Sequence, residues 1–439
     1  MEKLIEEIRD GRDLELLLNH PEKNIRLGAL KELVKSEEAL EAAKAVSNDV
    51  NSHIHTSYSF SPYSPSAAVY RSRLAGLVTT GIMDHDSVGG VREFIEAGKI
   101  IGLPVTVGAE LRVSFANTPL FGRKINNPDQ DSVAYVAFHG IPHSQIDQVK
   151  DFFMPINEAR GRRNRQMVER INVLLADTGI SLDYDRDVLP ISMAHEGGSV
   201  TERHLLYALS KNVLAQIDRG EKLVDFLENE LSIKVAGKAL DYLMDKENPI
   251  YEYDLVNVMK GHMVEKFYIP ATDECVHVTE AARFAKENGI IFAYAYLGDV
   301  TQSVTGDKKA QVFEDSYLEL LFSELSRLGF NAVTYMPSRN TPDQLARIRS
   351  FCQKHELFQI SGEDINQPRQ KFVCEAMRGP GFENLYDSAW ALIGHELLAS
   401  EDLDKGMFSD KTRAERPNLG SRVAYYRDRA KELQIKQSL

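Results

Sequence analysis

Three apolar stretches in the first quarter of this chain each run out into residues that bind cations or carry protons. The stretch beginning at Val50 reaches His53-Ile54-His55. LAGLVTTGIMDH reaches Asp84-His85-Asp86, with Gly89-Gly90 just beyond, and LPVTVGAEL reaches Glu110. Between the last two lies VREFIEAGKIIG, whose apolar residues recur at helical spacing and which Gly102 stops. Strand, helix, strand in this rhythm argues for parallel βα units. In such folds reactive side chains gather where strands end and loops begin. Residues i and i+2 of a strand share a face, so His53 and His55 can grip one ion while Ile54 packs the other way.

The βα rhythm occupies two blocks. Residues 48–150 form the first part of a barrel and 286–379 the second, with EAARFAKENGIIFAYAYLG, SYLELLFSELSRLGFNAVTYM and PDQLARIRSFCQKHELFQISGED as successive units. Residues 151–285 read as a helical insertion over the barrel mouth. They open on a long helix with Arg160, Arg162, Arg163 and Arg165 near its start. Residues 1–47 form an N-terminal helical segment in which NHPEKNIRLGALKELV resembles one helical hairpin of a repeat protein. One such hairpin cannot bury its face alone, so it docks on the main domain or on a protein partner. Residues 380–439 form a C-terminal helical extension anchored by Trp390.

Composition excludes several functions. The formal net charge of −13 over 439 residues gives nothing to counterion release, so long duplex nucleic acid is not expected as a partner. No apolar run is long enough for a membrane span, and the acidic start MEKLIEEIRD is unlike a secretory leader. Cys275, Cys352 and Cys374 form no CxxC pair, and three lone thiols fit a reducing compartment, so a cytoplasmic location is expected. No GxSxG elbow, GxGxxG or GxxxxGK[ST] loop occurs.

Taken together, His53-Ile54-His55-Thr56, Met83-Asp84-His85-Asp86 before Gly89, Gly108-Ala109-Glu110 and Gly362-Glu363-Asp364-Ile365-Asn366 resemble the motifs of the PHP (polymerase and histidinol phosphatase) family. GFNAVTYMPSRNTPDQL is similar to that family's penultimate strand and loop. The resemblance covers roughly residues 50–375. It implies an α/β fold, a distorted (βα)7 PHP-type barrel with the helical insertion and extensions above, and a centre of up to three divalent metals. His53, His55, Glu110 and Asp364 match the first metal site, a donor set that suits Zn, Mn or Fe. The other sites depart from the pattern. Tyr135 and Tyr296 stand where the second metal's histidines belong, with His139 four residues along as a substitute. Phe60, His85 and Asn366 stand at the third. One ion is therefore the expected load, with His85 its nearest additional ligand.

The function this implies is metal-dependent hydrolysis, with a small phosphorylated molecule such as a nucleotide as substrate. Asp84 or His85 would assist proton transfer. Arg203 and His204 open HLLYALSKN, and a helix N-terminus with an arginine suits an anion. Arg339 and Arg369 follow the last two barrel strands, and their forks match phosphate. Two other readings stay open. In an amide-type hydrolase, Tyr135 and Tyr296 would donate to a developing oxyanion. A non-catalytic binding protein would use the N-terminal helices as its interaction surface.

Overall fold

The computed structural model describes residues 11–35, 48–300 and 312–438. Of the expected N-terminal helices, residues 1–10 and 36–47 therefore lie outside the described residues. The strands are β1 Val50–Ile54, β2 Thr79–His85, β3 Val105–Ser114, β4 Val133–His139, β5 Val276–His277, β6 Ile291–Ala295, β7 Ala332–Tyr335 and β8 Phe358–Ser361. Seven of them neighbour one another in the order β1-β2-β3-β4-β6-β7-β8, and β5 is a short addition to β3. Backbone bonds from His55 N to Ile365 O and from Ile365 N to His53 O draw the last strand back to the first, so the sheet curls into a nearly closed barrel. Gly362 permits this approach: a Cβ there would lie 2.6 Å from the His53 nitrogen.

The strands do not all run one way. β4 is antiparallel to both β3 and β6, whereas a purely parallel rhythm was expected. Residues 115–132 join β3 to β4 and contain no helix. A parallel return needs a crossover of a dozen or more residues, usually helical. This segment is instead rich in Pro, Asn and Asp and turns back at the same end of the barrel, closed by Phe115 N to Ser132 O at 2.8 Å.

Side chains sort by strand alternation. Ile54, Ile82, Val107, Val136, Phe292 and Val333 point outward into one core under the surrounding helices. These include α1 Gly11–Leu17, α2 Lys23–Lys35, α3 Pro65–Leu74 and α4 Val91–Ile101. α4 buries Val91, Phe94, Ala97, Gly98 and Ile101 as one stripe and ends on Gly102 in the left-handed region at φ 68°, as its sequence predicts. The N-terminal pair docks on the barrel through Arg26, whose Nε and Nη2 meet Glu93 of α4 at 2.8 and 2.5 Å, both side chains being buried.

The insertion comprises α5 Ile146–Leu174, α6 Glu202–Leu214, α7 Glu221–Asn229, α8 Lys238–Met244 and α9 Tyr251–Phe267. It has a core of its own, which Phe60 enters from the loop after β1. α5 starts at Ile146, five residues before the expected boundary, and its first turns (Ile146, Val149, Phe153) belong to the barrel's core. α10 Val278–Glu287, α11 Leu318–Arg327 and α12 Pro342–Lys354 resume the barrel layer. α12 starts where Thr341 and Gln344 cap each other and Pro342 fills the first turn.

The C-terminal extension is α13 Glu383–Glu401, α14 Asp410–Glu415 and α15 Leu419–Ser438. Inward-facing Met83, Ala137, Ile291, Ala293, Ala332 and Phe358 pack with Ala391, Leu392 and Leu398 of α13 and Tyr426 of α15. These helices thus form a floor under the end of the barrel opposite the histidine motifs. Trp390 is half-buried with Lys431 over its ring. Among the described residues, no helix is long and apolar enough to cross a membrane, and all three cysteines are free thiols.

Candidate metal centre

β1, β2 and β3 bring His53, His55, His85 and Glu110 to the inner face at one mouth of the barrel. His85 and Glu110 are register partners. Among the described residues, one group of His, Cys, Asp or Glu places three ligand atoms within 4.8 Å of one another: His53, His55 and Glu110, all buried. Glu110 reaches two imidazoles, with Oε1 3.5 Å from His53 Nε2 and Oε2 3.2 Å from His85 Nδ1. Asp364 completes the set from the far side, its Oδ1 3.1 Å from His55 Nε2. The rings of His55 and His85 lie 4.6 Å apart. All four residues of the expected first metal site, and His85, therefore converge.

The tautomer of His55 follows from its neighbours. Ser59 Oγ donates its one hydrogen to Asp84 Oδ1 at 2.6 Å and lies 3.2 Å from His55 Nδ1. His55 Nδ1 must therefore be the donor there, leaving Nε2 to face the carboxylates. Burial opposes a charge on His55, but the hydrogen bond and charge of Asp364, with Glu110 and Asp84 behind them, push its pKa up. Burial pushes His53 down to about 4, helped by the His55 charge and opposed by Asp364. His85 is held well below its ordinary value by burial, then by His55 and Arg160. For Asp364, burial raises the pKa, but His55, His53 and Arg203 outweigh it and hold it well below the carboxylate range. Without a metal, one proton on His55 Nε2 is what keeps lone pairs from facing a carboxylate at 3.1 Å. A divalent cation fits that place, because ligating imidazoles and carboxylates must give up their protons to bind it.

Asp84 points the other way. Its oxygens accept from Thr56 N at 2.7 Å, Thr56 Oγ1 at 2.6 Å and Ser59 Oγ. The expected proton carrier is thus a scaffold for the turn after His55, with its own pKa raised by burial. His139 is displaced by the reversal of β4. It pairs with Gly108, two residues deeper than Glu110, and lies outside the three-residue cluster. Burial, with a contribution from His53, pushes its pKa down to about 3.

Tyr135 faces the interior opposite Arg112, its ring 6.0 Å from that of His85. Tyr296 faces the outer core, and its hydroxyl donates to Asp315 at 2.5 Å. On β6 the inward residues are instead Ile291 and Ala293. That removes Tyr296 from the oxyanion role considered above. Asn366 donates to Asp364 Oδ1 at 2.6 Å. Phe60 sits at φ 96° with its ring 5.1 Å from that of His204.

The expected anion-binding residues divide. Arg203 lies within electrostatic reach of Asp364. His204 caps its own helix, accepting from Thr201 N at 3.0 Å, and burial pushes its pKa down to about 3. Arg339 is half-buried in the turn after β7. Arg369 spends its fork on Asp254, both contacts at 2.8 Å, with its guanidinium 3.7 Å over the Tyr242 ring.

Sequence reasoning missed a buried ionic nest above the cluster. Glu274 accepts from Arg112, from Arg160 Nε at 3.2 Å and from Arg163 Nε at 2.7 Å. Arg160 also pairs with Asp86, the residue after His85. Arginines on a long helix read as a solvated face, and only Glu274, more than a hundred positions away, reveals them as buried. Ser59 was equally hidden, being a small polar residue in a turn.

No family model matches this chain, and no curated protein matches it. Among solved structures it is similar to a protein from Bifidobacterium adolescentis classed as a metal-dependent phosphoesterase, with 20% identity and a TM-score of 0.49 over 76% of this chain and 96% of the other. It is also similar to an amidohydrolase from Chromobacterium violaceum with bound sulfate, at 17% identity and a TM-score of 0.49 over 74% and 90%.

Proposed function

We propose that this chain is a PHP-type, divalent-metal-dependent phosphoesterase acting on a small phosphorylated substrate such as a nucleotide. The observation that carries the reading is the donor set itself. His53, His55 and Glu110 hold ligand atoms within 4.8 Å, Asp364 closes on His55, and the tautomer of His55 leaves Nε2 free to ligate. Two imidazoles and two carboxylates suit Zn, Mn or Fe. A bound cation of this kind lowers the pKa of water and polarises a phosphoryl oxygen.

The chain's own residues do the rest. Burial favours the neutral forms of His53 and His85, which suits imidazoles that ligate a cation. Glu110 spans both imidazoles and fixes their spacing. Arg203 brings positive charge to the mouth beside Asp364, as an anionic substrate requires. Asp84 and Ser59 set the orientation of His55 and leave proton transfer to His85.

Elemental analysis of the purified protein, with a phosphate-release screen over nucleotides and sugar phosphates, tests this. The expected result is one tightly held Zn, Mn or Fe per chain and turnover that chelation abolishes. Metal-loaded protein that releases no phosphate from any panel member would refute it, and release of a carboxylate from an amide would favour the amide-type alternative.

A further inference from the structure

We propose that Arg369 and Asp254 are positioning residues for Asp364: they latch the loop bearing this carboxylate onto the helical insertion and so set the affinity of the metal centre. The inference rests on the metal reading above. Asp364 differs from His53, His55 and Glu110 in where it sits. Those three stand on or next to strands β1 and β3, whereas Asp364 lies in the loop after β8, with its side chain two-fifths exposed.

On the barrel side that loop is fixed by the two backbone bonds between Ile365 and β1, at 2.9 and 3.2 Å. Beyond Ile365 it leaves the sheet and attaches to α9. Asn257 Nδ2 donates to Gln367 Oε1 at 2.8 Å, and Arg369 grips both Asp254 oxygens. Asp254 is itself buried and held by Asn248 Nδ2 at 2.8 Å, so the anchor is rigid. Within the loop, Gln370 Oε1 accepts from the Asn366 and Gln367 nitrogens at 2.7 and 2.8 Å. Asn366 Nδ2 then holds Asp364 Oδ1. A continuous path therefore runs from α9 through Arg369, Gln370 and Asn366 to the carboxylate.

Arg369 is partly exposed, so solvent screens its pairing with the buried Asp254. A bidentate, stacked guanidinium does fix direction. Partners beyond the ligands commonly set metal affinity by this means.

Titration calorimetry with Mn²⁺ on the full chain, at one pH, tests the latch. Arg369→Ala and Asp254→Asn are each expected to weaken Mn²⁺ binding about tenfold or more, the range for partners behind a ligand. The double variant should be no weaker than the worse single. Arg369→Lys should recover only part, because it keeps the charge and loses the fork. Hydrogen exchange on wild-type protein gives a second readout that no folding defect can confuse: Mn²⁺ should slow exchange in α9, Tyr251–Phe267. Wild-type protein that takes up no Mn²⁺, Zn²⁺ or Fe²⁺ sinks the metal reading and the latch with it. Wild-type protein that binds Mn²⁺ while both single variants bind as tightly, or while α9 exchange is unchanged, overturns the latch alone.

Discussion

Replacing Ser59 by alanine removes one oxygen that touches neither the cluster's carboxylates nor any expected ligand except through His55. In the wild type that oxygen accepts from His55 Nδ1 at 3.2 Å and donates to Asp84 at 2.6 Å. His55 is 1% exposed, so water cannot readily replace the lost acceptor. Two outcomes compete in the variant. Nδ1–H stays and is left unpaired, at a cost of about 1–3 kcal/mol. Alternatively the proton moves to Nε2 and blocks the atom that must ligate. Either way the metal-bound state suffers, and changes of this kind cost 10–100-fold in affinity, or about 1.4–2.8 kcal/mol. Asp84 keeps its two bonds from Thr56, so the metal-free fold should lose only about 1 kcal/mol. Calorimetric titration of Zn²⁺ or Mn²⁺ reads the first quantity and urea unfolding of chelated protein reads the second. Unchanged affinity beside a clearly lowered unfolding midpoint would refute the claim that Ser59 selects the tautomer.

Glu110→Gln keeps the shape but turns an acceptor toward His53 and His85 into a partial donor, and elemental analysis should find metal content well below one per chain in protein that remains folded. Arg26→Met strands the buried Glu93 carboxylate and should cost about 3–5 kcal/mol in urea unfolding, whereas adding Glu93→Gln should restore most of it. Glu314 is wholly buried, and burial pushes its pKa up to about 7 against the pull of Leu297 N and Tyr294. The folded state therefore holds this proton more tightly than the unfolded chain, and stability falls as pH rises from about 4.5 to 7, by at most ~3 kcal/mol. Glu314→Gln should flatten that window in thermal unfolding, and parallel pH curves for the two proteins would contradict it.

Much of this was written locally in the chain. His53, His55, Glu110 and Asp364 could be found because ligand-type residues at successive strand ends report on one another. α4 could be bounded because Gly102 stops it, and α12 because Thr341, Pro342 and Gln344 start it. The reversal of β4 was readable only as a missing helix in 115–132, and missing it set His139 too near the mouth. Partner choice was the larger gap. Arg369 looks like a phosphate ligand until Asp254, 115 positions away, takes its fork. Asp84 looks like a proton carrier until Thr56 and Ser59 occupy its oxygens. Burial and long-range pairing decide such roles, and neither leaves a trace at the residue itself.

The packing of Leu392, Leu398 and Tyr426 beneath the strands has a consequence for traffic. The barrel is a blind well rather than a tube. Among the described residues that end is stopped, so on the reading proposed above a molecule acted on at the histidines would enter and leave at the other.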